Sequence, residues 1–330
     1  MKRLFAACSF LLLLFIGQTV YSQGKYALVI HGGGGNIPRE SITPEMEAAF
    51  LAKLREALQE GQAILSAGGS SLDAVQAAVV ILEDSPLFNA GRGAVFTIDG
   101  RNELDASIMD GSNLKAGAVA GVTTIKNPIK AARRVMENTP HVLLSGRGAE
   151  QFAFEQGLEI VDPSYFFDQR RWDQYREFIR ENSPLRGSIA SEMGMGTVGA
   201  VALDLKGNLA AATSTGGMTG KKHGRIGDSP IIGAGTYANN LSSAVSSTGH
   251  GEFFIRNAVA YDISARILYL GETLEQATYH NIMVRLVQQG ARGGVIAVDR
   301  NGNISMPFNT TAMFRGYIKS TGETEVKIFR

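Results

Sequence analysis

The sequence predicts an α+β fold in which two stacked antiparallel sheets are covered by helices. The first sign is a hairpin: residues 198–203 and 209–215 are apolar runs of small and β-branched residues flanking Asp204-Leu205-Lys206-Gly207-Asn208. A similar hairpin joins 294–298 to 304–308 through Asp299-Arg300-Asn301-Gly302-Asn303. Turns of this kind suit antiparallel pairs, because Asp and Asn bond nearby turn backbone and Gly takes positive φ without steric cost. The second sign is helical spacing of apolar positions at 250–270 and 273–289, between the hairpins, and at 43–65 and 71–82 in the first half. Strands followed by helices in both halves give each sheet a helical cover.

The chain has 330 residues, 44% hydrophobic and 19% charged, enough for one or two domains with a substantial core. Lys2 and Arg3 precede Leu11-Leu12-Leu13-Leu14-Phe15-Ile16, and Ser22 follows Val20 at the spacing of an export signal. Residues 1–22 are therefore read as a signal peptide cleaved near Ser22-Gln23, and the mature protein as exported, to the periplasm. The apolar run is too short for a membrane anchor. Cys8 lies before most of that run, which argues against lipidation, and its loss leaves the mature chain without a disulfide. Removing Lys2 and Arg3 from the 32 basic residues leaves 30 against 31 acidic ones, a net charge of −1. Nothing in that balance suggests a nucleic-acid partner.

Taken in order, residues 26–30 form a short strand running into His31 and the glycines 32–35. No Gly-Lys-Ser/Thr completes a phosphate loop, so a tight turn is expected there, with His31 as a hydrogen-bonded core residue. The helix from Thr43-Pro44 carries Glu45 and Glu47 in its first turn, where the helix dipole favours acids. The next starts at Ser71 or Asp73, either of which can cap it. Residues 82–93 form a loop, with Glu83 and Asp84 at a solvated helix end. Residues 103–111 carry Glu103, Asp105 and Asp110, but no His at ligand spacing and no EF-hand glycine, so they read as strand and turn. A core strand at 115–122 and a helix at 128–136 follow, with Arg133 and Arg134 on its wet face. From about 155 to 196 the chain changes character: a charged stretch with Phe167, Trp172, Tyr175, Phe178 and Ile179 at helical spacing reads as a loosely packed connector, and 183–195 as disordered.

Thr197 stands where the run Gly194-Met195-Gly196 gives way to the strand at 198. A threonine hydroxyl needs a base beside it to act as a nucleophile. Were the Gly196-Thr197 bond cut, the freed α-amino group, with a reference pKa of roughly 7.7–8.0, would supply that base on the same residue. Gly196 lacks a Cβ and can take backbone geometries that bring the hydroxyl to its own upstream carbonyl.

Thr197, the stretch Thr213-Ser214-Thr215-Gly216-Gly217-Met218 and the stretch Gly224-Arg225-Ile226-Gly227-Asp228 together resemble the plant-type L-asparaginase and isoaspartyl peptidase family, N-terminal nucleophile hydrolases. The resemblance continues through His31-Gly32-Gly33-Gly34-Gly35, Asn89-Ala90-Gly91, Asn102-Glu103-Leu104-Asp105-Ala106 and Pro307-Phe308-Asn309-Thr310, nearly the whole mature chain. It implies a four-layer αββα sandwich and self-cleavage into an α chain of 23–196 and a β chain of 197–330 that together form one domain. It implies hydrolysis of β-aspartyl dipeptides and L-asparagine through an acyl-enzyme on Thr197, with release of aspartate.

Further roles follow from the same resemblance. Thr215 orients the nucleophile, and Thr248 and Gly249 stabilise the oxyanion. Arg225 grips the substrate α-carboxylate and Asp228 its α-amino group, a sensible division between a guanidinium fork and an acid. Gly251 belongs to the same substrate site, and Asn89 lies in a second layer near the nucleophile. The loop is implied to hold a structural sodium ion through backbone carbonyls of Leu82, Glu83, Ser85, Phe88, Ala90 and Arg92, with no cofactor for catalysis. The implied assembly is a dimer of αβ heterodimers. His250 has no catalytic role. Glycosylasparaginase, on the same fold, is the alternative activity, but that branch usually carries Asp where this chain has Gly196. An uncleaved amino-acid or peptide binding protein is the alternative of another class. No Gly-x-Ser-x-Gly, no His-Glu-x-x-His and five scattered histidines speak against hydrolases with a His base.

Overall fold

The structure, a computed structural model, describes residues 24–182 and 196–330. The expected signal peptide with Cys8 and the stretch 183–195 lie outside the described residues.

The first strand, β1 (Ala27–Gly35), is longer than its apolar run. The glycines expected to turn stay in the sheet, because a register shift between His31 and Gly34 absorbs the irregularity at Gly33, whose φ is 100°. Helix α1 (Pro44–Ser66) is capped by Thr43, whose Oγ1 accepts the Met46 N–H, and α2 (Ser71–Glu83) by Ser70, whose Oγ accepts the Asp73 N–H. The second cap thus precedes the expected Ser71 by one residue. Strands β2 (Leu104–Asp110) and β3 (Ala116–Val122) and helix α3 (Pro128–Asn138) follow as expected. Arg133, expected in solvent, instead ties α3 to α2 through Asp73 at 2.7 Å and also holds Glu137 at 2.7 Å.

After β4 (Leu143–Ser145) and α4 (Gly146–Glu155), α5 (Gln169–Glu181) occupies the expected connector. In its described part that segment is packed rather than loose. Asp168 caps α5, and Phe167, Trp172 and Tyr175 gather around Phe96 with ring centroids 5.1–6.0 Å away. Arg171 is buried and donates to the Gly93 carbonyl. Charged residues masked this packing in the sequence, because their stems cover apolar surface while their heads seek carbonyls.

The β5 (Val198–Leu203) and β6 (Leu209–Thr215) hairpin matches the sequence reading. Next come β7 (Thr236–Ala238), β8 (Ser243–Gly249), α6 (Gly251–Asn257), α7 (Val259–Leu270), α8 (Leu274–Tyr279), a π-helical stretch (His280–Arg285) and α9 (Leu286–Gln288). The helix expected over 250–270 is two helices, broken at Ala258, which is left-handed with φ 45°. The chain ends with β9 (Gly293–Asp299), β10 (Ile304–Ser305), β11 (Ala312–Lys319) and β12 (Thr324–Phe329). Regular pairing in the second hairpin stops at Ser305, ahead of Pro307, and Phe308 rejoins through a single bridge to Gly294.

One sheet has eight strands in the order β12-β11-β1-β5-β6-β2-β3-β4, and the other four, β10-β9-β8-β7. Alternate residues of β1 serve two different cores: Leu28 and Ile30 pack with α1 and α2, whereas Ala27 and Val29 meet Ile296 and Val298 of the other sheet. In β9, Val295 and Ala297 face a third core with Phe254, Ile263 and Leu274 from α6, α7 and α8. Strands buried on both faces read as unbroken apolar runs, which is why their sequences lack a polar alternation.

Candidate active site

Thr197 immediately precedes β5, the strand between β1 and β6, so the residues that follow it are held on both sides by the sheet. Its Oγ1 donates to Thr215 Oγ1 at 3.1 Å; Thr215 donates to the Gly196 carbonyl at 3.2 Å and accepts the Gly217 N–H at 3.0 Å. Asn89 Nδ2 donates to the same Gly196 carbonyl at 2.7 Å and to Gly217 O at 2.7 Å, while its Oδ1 accepts the Val95 N–H. Asn89, expected one layer away, thus touches the carbonyl of the Gly196–Thr197 bond directly. Two donors on one carbonyl oxygen form the arrangement that stabilises charge developing there.

Close approach from β1 completes the grip. A Cβ on Gly33 would lie 2.7 Å from Gly196 Cα and 2.8 Å from Thr197 N. The next residue, Gly34, donates its N–H to Thr248 Oγ1 at 3.3 Å, which leaves that hydroxyl's hydrogen free to donate elsewhere.

Thr197 and Thr215 share a cleft with Arg225, Asp228 and Gly249, in which the free volume is about 10 Å³, room for roughly one water. Thr248 is buried beside this cleft without lining it. Gly251 sits against both charged residues: a Cβ there would lie 2.8 Å from Arg225 Nη2 and 2.9 Å from Asp228 Oδ1. Burial pushes the Asp228 carboxyl up to about 7, opposed in part by the Arg225 charge. Among the described residues its Oδ2 has no hydrogen-bond partner, as suits an acid awaiting a cation. Arg225 is held by Glu252, to which Nε and Nη2 donate at 2.8 and 3.0 Å. Read from sequence alone Glu252 has no role, since an acid in the first turn of a helix is ordinary.

His31 is a core residue, as expected, and it reaches the site. Its Nδ1 lies 2.9 Å from the Thr197 carbonyl, which can only accept, so the ring hydrogen is on Nδ1. Burial pushes its pKa down to about 3, the ring is neutral, and Nε2 accepts from Ser246 Oγ at 3.0 Å. Ser246 in turn meets Thr213 Oγ1 at 2.7 Å, Thr236 donates to Thr213 at 2.6 Å, and Ser107 joins Thr236 at 2.8 Å. The sequence signal was present but unread: hydroxyl residues on strands otherwise made of Ala and Val.

One acid departs from its expected setting, and two others, on the expected strand and just before it, lie beside Lys221. Glu83, read as a solvated helix end, is fully buried; burial pushes it up to about 8, and its Oε1 accepts from Ser214 Oγ and the Ile129 N–H. Asp105 is buried next to Lys221, whose Nζ is 3.8 Å from Oδ2, and burial raises its pKa. Glu103 offers Lys221 its carbonyl at 3.1 Å. Among the described residues there is no group of three or more His, Cys, Asp or Glu side chains that could hold a metal. No helix among them is long and apolar enough to cross a membrane.

A family described as asparaginase matches residues 24–328 of the chain. The isoaspartyl peptidase of Escherichia coli K12 is 50% identical over 310 residues, covering 92% of this chain and 97% of that one. A putative isoaspartyl peptidase/L-asparaginase of Dictyostelium discoideum is 51% identical over 325 residues, 89% of this chain and 93% of the relative. The isoaspartyl peptidase/L-asparaginase of Xenopus laevis is 42% identical over 295 residues, 89% and 93% of the two chains.

Proposed function

Because the chain belongs to the asparaginase family, we propose that it is a hydrolase of β-aspartyl dipeptides and L-asparagine that works through an acyl-enzyme on Thr197. The observation that carries this reading is the hydrogen-bonded set Thr197, Thr215 and Asn89 around the Gly196 carbonyl, in one cleft with Arg225 and Asp228.

The chain first processes itself. The Thr197 hydroxyl attacks the Gly196 carbonyl carbon, with Asn89 and Thr215 donating to the oxygen, and the peptide nitrogen leaves as the α-amino group of Thr197. Water then hydrolyses the ester, leaving a carboxylate on Gly196. In catalysis the freed amine takes the hydroxyl proton while Thr197 Oγ attacks the substrate's side-chain carbonyl. The oxyanion is held by Thr248 Oγ and the Gly249 N–H, the substrate α-carboxylate by Arg225 and its ammonium by Asp228. The departing amine takes the proton from the Thr197 ammonium, and water releases aspartate from the ester.

The loop 82–93 fits a sodium ion held by the carbonyls of Leu82, Glu83, Ser85, Phe88, Ala90 and Arg92. Four of the six carbonyls, those of Glu83, Ser85, Phe88 and Arg92, accept no hydrogen bond among the described residues, whereas Leu82 accepts from the Ser85 N–H and Ala90 from the Gly93 N–H, as do the other loop carbonyls of Pro86, Leu87, Asn89, Gly91 and Gly93 from their own donors. Cβ atoms on Gly91 and Gly93 would lie 2.3 and 2.1 Å from the carbonyl oxygens of Glu83 and Phe88, so the loop is wound tightly on its own oxygens. Oxygen ligands suit a hard cation, which would brace the loop that carries Asn89.

Helices on the outer face of each sheet support the four-layer αββα arrangement. Export after removal of 1–22 and assembly into a dimer of αβ heterodimers complete the proposal. Intact mass and N-terminal sequencing of purified protein test the reading: two fragments, beginning near Gln23 and at Thr197, are expected, and one unbroken chain from Thr197→Ala. A single chain from the unaltered protein would remove the self-processing mechanism.

A further inference from the structure

A second cavity, of about 380 Å³, opens next to the nucleophile, and among the described residues Gly196 is the one common to the linings of this cavity and of the Arg225–Asp228 cleft. Its size falls in the range of small-molecule sites, about 300–1,000 Å³. Ile42, Met46, Phe50 and Leu87 supply an apolar wall, and the paired guanidinium residues Arg170 and Arg171 of α5 supply a polar one.

The two arginines are held by neutral groups. Arg170 Nη2 donates to the carbonyls of Pro86 and Leu87 at 2.7 and 3.1 Å, and Arg171 to Gly93 O and Gln174 Oε1 at 2.8 and 3.1 Å. Among the described residues the one carboxylate within 4 Å of either guanidinium is that of Asp168, 3.9 Å from Arg170 Nε, and it also caps α5. This wall therefore carries net positive charge beside an apolar surface.

Resting on the function proposed above, we infer that this cavity binds the leaving residue of a β-aspartyl dipeptide, with its side chain on the apolar wall and its α-carboxylate at Arg170. The stereochemistry of the reaction leads there. The leaving nitrogen must take its proton from Thr197 N, and in the intact chain the atom bonded to Thr197 N is the Gly196 carbonyl carbon. The leaving group therefore emerges where Gly196 stands, at the junction of the two cavities. The aspartyl half occupies the first, and ammonia leaving from asparagine would use none of the second.

The test uses the self-processed enzyme with β-aspartyl-leucine, β-aspartyl-leucinamide and L-asparagine. The unaltered enzyme is expected to bind the dipeptide acid with a KM about tenfold or more below that of the amide, the scale of a charge-assisted contact, at similar kcat. In Arg170→Ala the acid-to-amide ratio should collapse to about twofold or less, a change that general damage to the site would not produce because it moves both substrates together. If that variant fails to mature, Ile42→Asp, which sets a negative charge on the apolar wall, should raise the KM of the acid more than that of the amide. Equal KM values in the unaltered enzyme, or discrimination surviving in both variants, would overturn the subsite. An enzyme that turns over asparagine but not the dipeptide overturns the subsite and the dipeptidase half of the function while the acyl-enzyme on Thr197 stands, and a processed protein active on neither sinks the function on which it rests.

Discussion

Gly33 shows how narrow the tolerances around the Gly196–Thr197 bond are. A methyl group there would need to occupy space 2.7 Å from Gly196 Cα, at a φ of 100° that L-residues avoid. Gly33→Ala is expected to leave most of the chain uncut on a denaturing gel, with a loss of stability of about 1–3 kcal/mol. Asn89→Ala removes one of the two donors to the Gly196 carbonyl and should slow processing by roughly 10²–10³-fold, measured as the half-time of fragment appearance; unchanged kinetics would take Asn89 out of the reaction. Asp228 sets a pH dependence. With its pKa pushed up to about 7, it is charged above that pH and neutral below it, so it pairs with an ammonium only on the alkaline side. Product inhibition by L-aspartate should therefore weaken as pH falls from about 8 to about 6, and an inhibition constant flat across that window would count against Asp228 as the ammonium partner. Thr197, Thr215, Arg225 and Asp228 were legible through the family resemblance of the stretches that carry them, since by type and spacing alone they read as strand threonines and a surface ion pair. Glu252 and Ser246 were not, since a surface-type acid and a strand serine acquire their roles only from what the fold sets opposite them.

At the level of elements, the loop 82–93 is where the proposed ion and the proposed active site meet. It carries Asn89, and α5 is fastened to it through Arg170 and Arg171. Exchanging sodium for choline by dialysis should lower the melting temperature by several degrees, as loss of a ligand bound only to the folded state does; identical melting curves would remove the ion. The β5–β6 hairpin and the helices α1, α2 and α3 could be read from periodicity and turn residues. Strands β7 and β8 went unread because no Asp-Gly turn of that form marks them and β7 is short and β8 mostly small residues; β11 and β12, with Phe314, Tyr317, Ile318, Val326, Ile328 and Phe329, carried β signal that was passed over. The glycines of β1 pointed to a turn because the bulge that keeps them in the sheet depends on partners in β11, far away in sequence. Nothing local distinguishes the two.

Across the whole molecule, the larger sheet interleaves the two prospective fragments. The segment before Thr197 supplies β1, β2, β3 and β4, and the segment after it β5, β6, β11 and β12, with β1 lying between β11 and β5. Cutting one peptide bond leaves this ladder intact. The fragments should co-elute on native size exclusion, at the mass of two αβ pairs, and part only in denaturant; separation without denaturant would contradict the shared sheet. The same interleaving has a temporal side. The grip on the scissile bond comes from Gly33, Asn89 and Thr215, brought together only once strands from both halves of the chain have found their places. A molecule that cuts itself has therefore already passed an inspection of its own assembly, and the nick is a permanent stamp of that event. In any preparation of the unaltered protein the uncut fraction is then an upper bound on the chains that have yet to reach the native state, because assembled chains still awaiting the cut are counted with them.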